Sequence, residues 1–114
     1  WLSNKFGGDI KKSVLYIWQD LKYLYKLNGG IYEVNNTILT IFAAMLKTFD
    51  WKTEDTYSAY QAIEQVLYAE REPNLNNYQS LLKIYNQSES YTSENIPKLK
   101  WIIRRFLFSV EPKL

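Results

Sequence analysis

The side chains that most often run chemistry at neutral pH are absent: the 114-residue chain contains no His and no Cys. That removes the commonest general base and the commonest transition-metal ligand together, and with them disulfides, thiolate zinc sites and cysteine nucleophiles. Carboxylates are what remain. The densest acidic pairs are Glu54-Asp55 and Glu70-x-Glu72, but a carboxylate-bridged metal site in a helical protein draws acids from several facing helices together with a Glu-x-x-His element. Ser13, Ser58 and Ser80 lack a histidine partner, and neither Gly-x-x-x-x-Gly-Lys-Ser/Thr nor Gly-x-Gly-x-x-Gly occurs. The expectation is a protein with no catalytic residues, no metal and no cofactor, not an enzyme.

Binding chemistry is better represented. Toward the C-terminus, Lys98, Lys100, Arg104 and Arg105 interleave with Trp101, Phe106 and Phe108, offering a partner both cations and apolar rings. On a helical wheel Leu99, Ile102, Ile103, Phe106 and Val110 take the core side and leave Trp101 and Phe108 off-centre, available for contact. These seven basic and aromatic residues are the candidate partner-binding site, for a protein partner and for peripheral contact with a membrane surface. The first helix also carries Lys11, Lys12, Lys22 and Lys26, spread over a longer span and diluted by Asp9 and Asp20. A helix-turn-helix around Glu72-Pro73-Asn74 would show Asn76, Asn77, Gln79 and Lys83 to base edges. One basic residue is too few for a surface that must neutralise several phosphates, so nucleic acid is not the expected partner.

Such a surface needs elements to carry it. Residues 1–8 read as a flexible arm ending in Gly7-Gly8, after which Asp9 can cap a helix running to about Leu27. Ile10, Val14, Ile17, Leu21 and Leu24 give that helix its apolar seam, widened by Leu15 and Trp18, and Asn28-Gly29-Gly30 ends it. Asn36 is the expected cap of a helix over the uncharged run Thr37 to Leu46. With one stripe at Leu39, Phe42, Ala43 and Leu46 and another at Ile38, Ile41 and Met45, this run should be the buried centre of the fold. It is too short to span a bilayer, which takes about 20 residues. Thr53 or Asp55 should cap a third helix, from about Thr56 to Glu72, with Tyr60, Ile63 and Leu67 on its apolar face and Pro73 at its end. Asn74 or Asn76 should cap a fourth, in which Tyr78, Leu81, Leu82 and Tyr85 match helical spacing before it stops at Asn86. Residues 86–96, polar and poor in anchoring side chains, should be a mobile linker, and Pro97 should open a C-terminal helix over 97–111.

With no alternating strand pattern, the fold class is all-α: one domain, an antiparallel four-helix bundle with an additional C-terminal helix. The chain is long enough to bury a core without metals or disulfides. Its net charge of +2 advertises no polyanionic partner by itself. Ten Tyr and four Trp suit the boundary of a helical core, where the ring is buried and the polar atom stays wet. No secretory signal is read at the start, so the expected location is cytoplasmic, with peripheral contact at the inner membrane face.

The start Trp-Leu-Ser-x-x-x-Gly-Gly, the segment Leu-Tyr-Ile-Trp-Gln-Asp-Leu at residues 15–21 and Leu-Leu-Lys-Ile-Tyr at 81–85 resemble the immunity proteins that protect bacteria from class IIa, pediocin-like bacteriocins. The resemblance covers about residues 1–90. The Gly29-Gly30 connection and the long aromatic C-terminal helix depart from the family pattern. The resemblance implies a cytosolic, non-catalytic antiparallel four-helix bundle whose C-terminal part recognises the bacteriocin-occupied mannose phosphotransferase permease. The alternative is a small viral or mobile-element protein that binds a host protein or nucleic acid.

Overall fold

Asp9 caps the first helix as the sequence anticipates, its carboxylate accepting a hydrogen bond from the Lys12 amide at 3.2 Å. The structure is a computed structural model, and it describes residues 9–98 and Ile102. Among these residues there are four helices and no strand: α1 (Ile10–Leu27), α2 (Ile38–Phe49), α3 (Thr53–Leu67) and α4 (Leu75–Asn95). The radius of gyration, 13.5 Å, is close to the ~13 Å of a compact domain of this length. The arm at 1–8 and most of the expected C-terminal helix lie outside the described residues.

In α1 the seam is realised: Val14, Ile17, Leu21 and Leu24 are all fully buried. The helix ends at Asn28, followed by Gly29 in the left-handed conformation that a side chain resists. Thr37, rather than Asn36, caps α2 by accepting from the Thr40 amide. Asn36 is engaged one turn earlier, its side-chain oxygen accepting from the Glu33 amide.

The apolar run of α2 is not buried all round. Ile41, Phe42, Met45 and Phe49 face the core, whereas Leu39 is 58% exposed and Ala43 also faces water. A 12-residue helix lying on one side of its neighbours can bury only one face, and the face chosen is the one carrying two phenylalanine rings. Phe42 stacks on Trp18 of α1 at 5.4 Å and meets Trp51 and Tyr60. Asp50 then takes a left-handed conformation (φ 56°), which turns the chain and drops Trp51 into the core.

Helix α3 starts and stops earlier than its periodicity suggests. Thr53 and Asp55 are inside it, not caps; Lys52 precedes it without a side-chain cap, and Glu54 and Asp55 in the first turn complement the helix dipole. It ends at Leu67 because Glu70 adopts a positive φ of 51° and the Gln65 side chain turns to accept from the Asn74 amide. Ala59 and Ala62, fully buried, let α3 approach α4 closely, and these two helices form the most extensive pairing.

Two expectations are corrected by α4. Residues 86–96 are not a linker, since the helix continues unbroken to Asn95. The buried stripe of Leu81, Ile84 and Tyr85 is extended by Ser88 and Thr92, both fully buried. Their hydroxyls donate to the carbonyls of Ile84 and Ser88 one turn back, while Trp51 Nε1 donates to Ser88 Oγ at 2.9 Å and Asn28 Nδ2 to Thr92 Oγ1 at 2.9 Å. Ser88 and Thr92 thus continue an apolar stripe because both of their buried hydroxyls find partners.

The second correction concerns direction. Between α3 and α4, Lys83 meets Asp55 and Ser58 meets Asn77, so later residues of one face earlier residues of the other and the pair is antiparallel. Between α1 and α4 the order is reversed: Tyr85 meets Asp20 and Thr92 meets Asn28, while Lys11 at the start of α1 reaches the Glu70 carbonyl just before α4. Those two helices therefore run parallel, and the arrangement departs from a wholly antiparallel bundle. Antiparallel neighbours follow from short loops, but the 28–37 connection and the short α2 allow α3, not α2, to be the element that reverses the chain beside α1.

Candidate functional site

Of the residues nominated for partner binding, Lys98 is described and is exposed just beyond α4. Lys100, Trp101, Arg104, Arg105, Phe106 and Phe108 lie outside the described residues. Ile102, expected on the core side, is instead 60% exposed, so that position faces water rather than the bundle.

The acidic pairs lie in different places. Asp55 forms an ion pair with Lys83 at 3.1 Å, and Glu70 and Glu72 flank the exposed turn between α3 and α4. Among the described residues no group of three or more acidic side chains is placed to hold a metal ion. Ser58 donates to Asn77 Oδ1 at 3.0 Å and Ser80 to the Asn76 carbonyl. Of the helix-turn-helix set, Asn77 is buried and engaged, Lys83 is exposed but paired with Asp55, and Asn76 and Gln79 are exposed.

Two features escaped the sequence reading. In the core, the Tyr85 hydroxyl donates to the Asp20 carboxylate in a short hydrogen bond joining the middles of α1 and α4. Burial, then the negative charge of Asp20, raise the Tyr85 phenol far above its ordinary value, so it stays a donor at any pH the fold survives. The signal was present, for Asp20 is three residues after Ile17 and four before Leu24 and therefore lies on the apolar seam. A carboxylate there needs a partner.

The second feature is the connection from 28 to 37. Gly30 is required because a Cβ would stand 2.5 Å from the Tyr25 ring. Its amide donates to the Tyr25 carbonyl at 2.8 Å, which holds the loop against the helix end. Tyr32 then stacks on Tyr25 at 6.4 Å, and Lys26 Nζ sits 4.8 Å over the Tyr32 ring. One turn back, Lys22 Nζ lies 5.1 Å over Trp18. Burial and the neighbouring Lys26 charge lower the Lys22 ammonium below its ordinary value. Beyond this anchor Ile31 and Val34 point into solvent, 86% and 104% exposed, on a turn closed by the paired backbone of Glu33 and Asn36.

Compared with protein-family models, curated proteins and solved structures, the chain matches none of them. Among the described residues no helix is long and apolar enough to cross a membrane.

Proposed function

We propose that this chain is a non-catalytic binding protein: a four-helix bundle, with α1 and α4 parallel, bearing an additional C-terminal helix over 97–111 as its recognition surface. The observation that carries the reading is the exposure of Ile102 within a segment whose sequence is basic and aromatic and whose first cation, Lys98, is also exposed. An apolar side chain held toward water beside cations is what a partner surface presents before binding. With the resemblance at residues 15–21 and 81–85, this points to stoichiometric protection of the bacteriocin-immunity kind at the cytoplasmic side of a membrane permease. The test is survival of sensitive cells producing the protein when challenged with a panel of pediocin-like bacteriocins, with pull-down of the mannose permease as the binding readout. Protection that falls in Trp101→Ser/Phe108→Ser and in Arg104→Gln/Arg105→Gln supports the assignment. Protection against no member of the panel ends it.

A further inference from the structure

Because α1 and α4 run parallel, their C-terminal ends share one pole of the molecule, where Asn28 meets Thr92. The 28–37 loop lies at this pole, and Lys98 follows α4 there. Acidic groups toward this end are the exposed Glu33 in the loop, Glu94 in the last turn of α4 and Asp50, whose neighbours Phe49 and Trp51 pack on Tyr91 and Ser88, together with the half-buried Glu89. Neither Lys22 nor Lys26 forms an ion pair among the described residues. We propose that this pole is a membrane-contacting face, in which Ile31 and Val34 enter the headgroup boundary of an anionic bilayer while Lys22 and Lys26 meet lipid phosphates.

The loop is built for that contact in two ways. Its base is fixed by Gly30, Tyr25 and Tyr32, so Ile31 and Val34 are exposed without a loose segment having to be ordered on binding. Apolar tips near lysines that have ring contacts but no carboxylate partner among the described residues match a surface that is apolar inside and negative outside, and cations close to such a surface are drawn to its charge. The partial burial of Lys22 beside Lys26 disfavours its charge in the free protein, and a phosphate at that spot would relieve the repulsion. A protein groove lined with carboxylates could also use the cations, but the fully exposed Val34 on a protruding turn suits insertion into a yielding surface. This face lies outside the C-terminal recognition segment and needs no bacteriocin.

The experiment is sedimentation of the purified protein with vesicles of phosphatidylcholine, with and without phosphatidylglycerol. The wild type should bind the anionic vesicles and leave the neutral ones. Lys22→Gln/Lys26→Gln should weaken binding about thirtyfold, and Ile31→Ser and Val34→Ser about tenfold each, with unchanged helical dichroism. Since the chain has no Cys, Val34→Cys accepts one polarity-sensitive dye, whose emission should shift to the blue on anionic vesicles; the same dye on Gln79→Cys, at the opposite pole, should not respond. The proposal is overturned if the wild type binds neither vesicle, or if the loop variants bind as well as it does. It is equally overturned if binding is lost only in Trp101→Ser/Phe108→Ser, which would assign the contact to the C-terminal segment. Loop variants that keep vesicle binding but lose the permease in pull-down would make the face a protein surface.

Discussion

Tyr85 and Asp20 tie two helices together through a buried hydrogen bond, and its loss takes one donor from a carboxylate in the core. Tyr85→Phe should therefore cost about 1.5–3 kcal/mol in denaturant unfolding, above the roughly 1 kcal/mol of an ordinary hydrogen bond. The same group makes stability fall at alkaline pH. The folded state holds the phenol protonated while the unfolded chain releases it near its ordinary value of 10.0. Stability from this source is complete below that pH and is lost as pH rises above it, by about 1.4 kcal/mol per unit. Lys22, with a lowered value, acts with the opposite sign below the unfolded ammonium's 10.5, and comparing wild type with Tyr85→Phe cancels it. The wild type should show the steeper alkaline decline, measured by urea unfolding at successive pH values. A second residue carries strain: Glu70 has φ 51° in a turn where its carbonyl, not its side chain, is used by Lys11. Glu70→Gly should stabilise by about 0.5–1 kcal/mol, read as a rise in melting temperature.

At the scale of elements, burial rather than hydrophobicity decides which positions matter in α2. Phe42→Ala should cost about 3–5 kcal/mol, since the ring touches Trp18, Trp51 and Tyr60. Leu39→Ala should change stability by less than about 0.5 kcal/mol, and thermal melts of both variants check the contrast. In α4, amide exchange at Ser88 and Thr92 should be as slow as at Leu81 and Ile84, where a linker would exchange within the dead time. The apolar seams of α1 and of early α4 were legible because Val14, Ile17, Leu21, Leu24, Tyr78, Leu81 and Tyr85 repeat at 3.6-residue spacing. The second half of α4 was not, because Ser88 and Thr92 are polar by type and become core residues only through Trp51 and Asn28, distant in sequence. The same limit hid the loop surface: Ile31 and Val34 look like connection residues until Gly30, Tyr25 and Tyr32 are seen to fix them. The C-terminal candidate was legible as composition, but the outward position of Ile102 required the fold.

For the whole molecule, the decisive property is the direction of α1 relative to α4, which places the 28–37 loop and the exit of α4 at one pole and the α3–α4 turn at the other. Local patterning could not supply it, because an apolar seam packs equally well against a parallel or an antiparallel neighbour and only cross-helix pairs such as Asp20–Tyr85 and Asn28–Thr92 distinguish them. Spin labels at exposed positions measure it directly in a chain with no native thiol. Lys12 stands near the start of α1, Gln79 near the start of α4 and Ser93 near its end. In the parallel arrangement the Lys12–Ser93 separation should exceed the Lys12–Gln79 separation by roughly 15 Å, the 1.5 Å rise per residue along α4 combined with a helix spacing of about 10 Å. The opposite order would restore an antiparallel bundle and move the loop, with Ile31 and Val34 at its tip, away from the end of α4 and from Lys98.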